Sequence, residues 1–128
     1  MFRVDLDRLQ MLWPTLLDVE AVWAFGSAKD GNLPEGSDLD IAVLFVTHPS
    51  LDMLADLRAM LQEALSLDEI DLVVLNDSSP VLRFEALQGR LLFCRDLERC
   101  AGFVSLSARE YEDEMAMVER HLLREAKS

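Results

Sequence analysis

Gly36-Ser37-Asp38-Leu39-Asp40-Ile41-Ala42-Val43-Leu44-Phe45-Val46 is the stretch on which the reading of this chain turns. After Asp40 it is almost entirely apolar, the pattern of a strand covered on both faces. Side chains along a strand alternate between faces, so residues two apart point the same way. Asp38 and Asp40 therefore present two carboxylates side by side at the start of this strand. Two like charges so close are costly unless a cation lies between them. A hard divalent ion such as magnesium takes oxygen ligands and relieves that repulsion.

Upstream, Glu20-Ala21-Val22-Trp23-Ala24-Phe25 reads as a buried strand that stops at Gly26-Ser27. Ten residues separate Ser27 from Asp38, and with Gly31, Pro34 and Gly36 among them they read as a loop. Glycine has no β-carbon, so a ligand can approach the backbone closely there. The amides of Gly26 and Ser27 can donate to phosphate oxygens, and the Ser27 hydroxyl adds one more hydrogen bond. Downstream, Asp71 is second in the apolar run Ile70-Asp71-Leu72-Val73-Val74-Leu75. If that strand neighbours the first, Asp71 completes a triad of carboxylates. Each part alone has an ordinary reading, as a solvated strand end or a turn. Together they form a set that one pocket can gather, with phosphate on one side, carboxylates on the other and metal ions between.

The rest of the chain supplies the frame. Residues 5–18 place Leu6, Leu9, Leu12, Leu16 and Leu17 at near-helical spacing, with Pro14 kinking or splitting the helix. Ser50 is the expected cap of a helix running to about Leu65, with Leu51, Leu54, Leu57, Leu61 and Leu65 as its inner stripe. Pro80 suits the first turn of a short helix ending near Gly89, residues 90–94 read as a fourth strand, and residues 107–126 as a C-terminal helix. The expectation is an α/β (α+β) domain spanning residues 1–128, with a mixed sheet of about four strands and helices packed on it.

The formal net charge of -12 repels a phosphate backbone and disfavours a long nucleic-acid substrate. It suits a basic protein partner or a cationic small molecule. No apolar run is long enough for a membrane span, and the N-terminus lacks the order of a signal peptide, so the expected location is cytoplasmic. Cys94 and Cys100 form no C-x-x-C pair and are expected as reduced thiols. His48 and His121 are read as surface or capping residues. Arg83 and Arg90 are candidates for contact with a phosphate or a partner. The C-terminal helix reads as a solvated face whose apolar stripe, including Tyr111, Met115 and Met117, could be an interface.

The stretch Ala24-Phe25-Gly26-Ser27, then Gly31, then residues 36–44 resembles the minimal nucleotidyltransferases of the DNA polymerase β-like superfamily. The family pattern is Gly-Ser, a spacer, Asp-x-Asp and a later strand carboxylate, matched here by Asp71. Leu82-Arg83-Phe84-Glu85 and residues 89–93 fit the helix and short strand that follow in such proteins. The resemblance implies the polymerase β-like fold, magnesium held by Asp38, Asp40 and Asp71, and ATP bound with help from Gly26, Ser27 and Ser37; Lys29 is a further nucleotide-binding candidate, as a stand-in for a positive charge the family carries nearby. Length and the lack of appended domains resemble the antitoxin subgroup, which is paired with a HEPN-type ribonuclease toxin. That implies transfer of AMP from ATP to a tyrosine of the toxin, in a homo- or hetero-oligomer. One departure is visible: many members carry arginine three residues after the motif serine, and here that position is Asp30. The alternatives are a binding module that neutralises a toxin by covering it, and a nucleotidyltransferase acting on a small molecule such as an aminoglycoside.

Overall fold

The computed structural model describes residues 2–127. In chain order its strands and α-helices are β1 (Phe2–Arg3), β2 (Val19–Phe25), β3 (Asn32–Leu33), β4 (Leu39–Phe45), α1 (Leu51–Leu65), β5 (Ile70–Val74), α2 (Pro80–Leu87), β6 (Arg90–Cys94) and α3 (Leu97–Lys127). Four strands form one mixed sheet in the order β5-β4-β2-β6, and β1 and β3 form a separate two-stranded ribbon. The hairpin pair β2 and β4 is antiparallel, as is β2 with β6. The β4–β5 step is parallel. A parallel neighbour requires a crossover connection, which α1 supplies.

Both faces of the sheet are covered, which explains why its central strands are apolar almost throughout. Leu39, Ile41, Val43 and Phe45 point to one side, where they pack with Leu57, Leu61 and Leu65 of α1 and with Leu9 and Trp13. Ala42 points to the other side with Ala21, Trp23 and Phe25, beneath Ala86 of α2 and Cys100 of α3. The helix starts are fixed by serine caps. Ser50 Oγ accepts from the Met53 amide at 3.1 Å and Ser79 Oγ from the Leu82 amide at 3.2 Å, each satisfying a donor the helix itself leaves unpaired.

Several expectations are corrected. Residues 5–18 form two short 3-10 turns, Leu6–Leu9 and Trp13–Thr15, in place of a helix; Pro14 lies in the second turn and the segment between is too short for an α-helix to propagate. Leu51 is 85% exposed and lies outside the inner stripe of α1, because at 3.6 residues per turn it sits about 120° round the helix from Leu57. The C-terminal helix begins at Leu97, ten residues earlier than its periodicity suggested. Cys94 and Cys100 are joined in a disulfide instead of being free thiols. Cys94 ends β6, Cys100 lies in the first turns of α3, and the tight turn between strand and helix brings their Cα atoms to 6.4 Å.

Candidate active site

The hairpin β2–β4 and the crossover to β5 bring the three motif segments to one end of the sheet. Asp40 is the register partner of Phe25 on one side and of Asp71 on the other. Register partners share a face, so Asp40 and Asp71 point the same way; Asp38 stands one residue before β4, close enough for its charge to act on Asp40. This is the face roofed by α2 and α3. Gly26 follows Phe25 directly, with φ +75°, in the left-handed region that favours glycine. A Cβ built on it would collide with the Asp40 carboxylate. The turn is therefore glycine for two reasons, its backbone angle and the carboxylate lying on its α-carbon.

The electrostatics of the site follow from this crowding. Asp40 is half-buried, while Asp38 and Asp71 are exposed. Its carboxyl is held above the ordinary carboxylate range, first by burial, then by the charges of Asp71 and Asp38. Asp71 also stands within hydrogen-bonding reach of it, and Glu85 of α2 adds a smaller repulsion. The charges that raise the Asp40 carboxyl, those of Asp71, Asp38 and Glu85, are all negative. A hard divalent cation fits such an oxygen-donor set. Among the described residues, however, no three acidic, histidine or cysteine side chains are already closed into a metal-holding group. The fit therefore rests on chemistry and shared face, with Asp40 and Asp71 in mutual contact and Asp38 at the open edge.

The remaining candidates spread around this end. Ser27 and Lys29 are exposed on the 3-10 turn Gly26–Ala28 and its C-cap. Ser37 is half-buried and lines a cleft of about 420 Å³ between residues 33–37 and 66–69, next to the aspartates in sequence but not lined by them. Asp30 does not press on the carboxylates. Its own carboxylate accepts from the Asn32 amide at 3.2 Å and from Asn32 Nδ2 at 3.4 Å, which turns it towards the β1–β3 ribbon. Arg83 is occupied elsewhere: it donates to the Leu75 carbonyl at 2.9 Å and to Glu110 at 3.0 Å, so it ties α2 to the 3-10 turn Leu75–Asp77 after β5 and to α3. Arg90 pairs with Asp7 at 3.2 Å. His48 lies against Asp77 and His121 near Glu125, both on the surface. Glu85 is the acidic neighbour that the reading of motifs did not select. Its only signal was its place in the Leu82-Arg83-Phe84-Glu85 stretch; what matters is the docking of α2 over the sheet, which no local spacing encodes.

A family model described as polymerase beta, nucleotidyltransferase matches residues 9–98. A search of curated protein sequences returns no match. Among solved structures, the chain is similar to one in a toxin–antitoxin complex with AMP-PNP, at 21% identity and a TM-score of 0.75, over 97% of this chain and 99% of that one. It is also similar to one in the Shewanella oneidensis complex of a tri-AMPylated HEPN toxin with its MNT antitoxin, at 20% identity and a TM-score of 0.70, over 96% of each chain. A chain of the MntA–HepT toxin–antitoxin complex gives 21% identity and a TM-score of 0.68 over 95% of each. These likenesses are in the fold, and they extend across the long C-terminal helix.

Proposed function

The chain belongs to the polymerase β nucleotidyltransferase family, and from that premise we propose that it is a cytoplasmic antitoxin that transfers AMP from ATP to a tyrosine of a cognate HEPN-type toxin. The observation that carries the reading is the meeting of Asp40 with Asp71 across β4 and β5, with the Gly26 backbone seated on the Asp40 carboxylate. The AMP-PNP and the tri-AMPylated toxin in complexes of the same fold supply the nucleotide and the group transferred. The net charge of -12 favours a basic partner over a nucleic acid.

In this mechanism Asp38, Asp40 and Asp71 would hold magnesium, which would supply charge neutralisation of the triphosphate and a lowered pKa for the attacking hydroxyl. The amides of Gly26 and Ser27 and the Ser27 hydroxyl donate to phosphate oxygens, and exposed Lys29 adds a positive charge beside them. The acceptor oxygen forms a bond to the α-phosphorus while the bond to the bridging oxygen breaks, and pyrophosphate leaves. Asp71, exposed at the edge of the pair, takes the proton from the acceptor hydroxyl.

The test is incubation of the chain with the toxin, magnesium and ATP labelled on the α-phosphate. The native chain labels the toxin. The Asp38→Ala/Asp40→Ala variant keeps its fold and loses transfer by about a thousandfold or more. Label transferred equally by the double variant overturns the mechanism. A stable complex formed without label favours a binding module that neutralises by covering.

A further inference from the structure

The end of the sheet away from the aspartates carries a second concave surface. A groove of about 370 Å³ lies between α1 and the start of β2. Phe45 and Leu57, both buried, form its floor, and Met53 and Met60 line it above them. Methionines make an adaptable apolar contact surface. Next in sequence to its lining residues, three large apolar side chains are exposed: Leu17 at 76%, Val46 at 50% and Leu51 at 85%. The hydrogen bond from the Val46 amide to the Asp18 carbonyl, 2.9 Å, ties the segment carrying Leu16 and Asp18 to the end of β4. Exposed apolar groups gathered round an apolar depression mark an interaction surface.

The charges around the groove choose the partner. The only charged residues lining it are Asp18, Asp52 and Asp56. Asp52 and Asp56 are one helical turn apart on α1, a spacing at which like charges destabilise the helix that carries them. None of the three has an ion-pair partner among the described residues. A second copy of this chain, with net charge -12, is repelled by that rim. An anionic lipid surface is repelled for the same reason.

We propose that this groove docks a cationic amphipathic helix of a partner protein. The apolar side chains of that helix sit on Phe45, Met53 and Met60, and lysines or arginines one turn apart face Asp52 and Asp56, with Asp18 across the groove. β4 runs from the aspartate end to this one, about 20 Å for its seven residues. The partner is thus held at a distance from the chemistry, and docking requires neither nucleotide nor transfer.

The experiment measures fluorescence anisotropy of labelled amphipathic peptides with the full chain at low salt and without nucleotide. One peptide is a helical Leu/Lys repeat and the other a Leu/Glu repeat of the same pattern. The Leu/Lys peptide binds saturably, weakens as salt is raised, and shifts backbone amide resonances of residues lining the groove; the Leu/Glu peptide does not bind. The Asp18→Asn/Asp52→Asn/Asp56→Asn variant weakens binding by about tenfold or more. Met60→Lys, which changes one partly exposed side chain, does the same. Removing equal charge from α3 by Glu112→Gln/Asp113→Asn/Glu119→Gln changes affinity by less than about twofold. Equal losses in the two charge variants, no saturable binding of the Leu/Lys peptide, or self-association of the chain through this groove overturns the proposal. A chain inactive in AMP transfer that still passes these tests leaves the docking surface standing and counts only against the enzymatic reading.

Discussion

A half-buried carboxyl facing other carboxylates holds its proton more tightly when folded than when unfolded, and Asp40 is in that position. Between the ordinary aspartate range and its raised folded value, the native state binds more protons than the unfolded chain. Stability from this group is therefore present below the unfolded pKa and is lost as pH rises through the folded one. Without divalent cations, Asp40→Asn should raise Tm at neutral pH by on the order of 2 °C and flatten the fall of Tm above mild acid; thermal melts from mild acid to neutrality check this. An unchanged slope contradicts it. At this scale the sequence was informative about Asp40, which lies inside the apolar strand; Asp38 falls one residue before that strand, where period-two alternation no longer applies. The sequence was silent about Glu85, whose approach depends on how a helix docks.

Two glycines carry the geometry at the scale of elements. The turn after β2 needs a left-handed angle at Gly26 and space for the Asp40 carboxylate. Gly26→Ala should destabilise the fold by about 1–2 kcal/mol from the backbone angle and displace Asp40, so that transfer falls far more than stability does; urea melts set beside transfer rates separate the two. Gly89 joins α2 to β6, and a Cβ there would overlap the Ala24 carbonyl and the Phe25 Cα. Gly89→Ala should cost about 1–3 kcal/mol by overpacking, measured by denaturation, and should reduce transfer because α2 and the end of β2 shift together. The long apolar runs of β2, β4 and β5 and the capped helix α1 were legible because their patterns are strong over many residues. The two-residue ribbon β1–β3 was not, since two residues have no period. The early start of α3 was hidden because Gly102, a poor helix former, lies in its first turns beside exposed Leu97 and Ala101, although Cys100 and Phe103 already pack against the sheet there. The pairing of Cys94 with Cys100 depends on the sharpness of one turn, which spacing does not reveal.

For the whole molecule, the proposed function depends on three segments distant in sequence meeting at one end of a sheet. The order β5-β4-β2-β6 places the aspartate-bearing strands side by side, with the Gly26–Ser27 turn at the head of the neighbouring strand. The opposite end is left free for the acid-rimmed groove. The topology was foreseen only as a mixed sheet, and the adjacency of β4 and β5 was a condition the motif reading had to assume. The direct measurement is binding of Mn²⁺, standing in for magnesium, with ATP present, followed by electron paramagnetic resonance. Asp40→Asn and Asp71→Asn should each weaken the protein-bound signal by about tenfold or more, while Asp30→Asn leaves it within about twofold. Affinity unchanged in Asp71→Asn would mean that β5 contributes nothing to the cation site, and the shared-carboxylate account would be wrong.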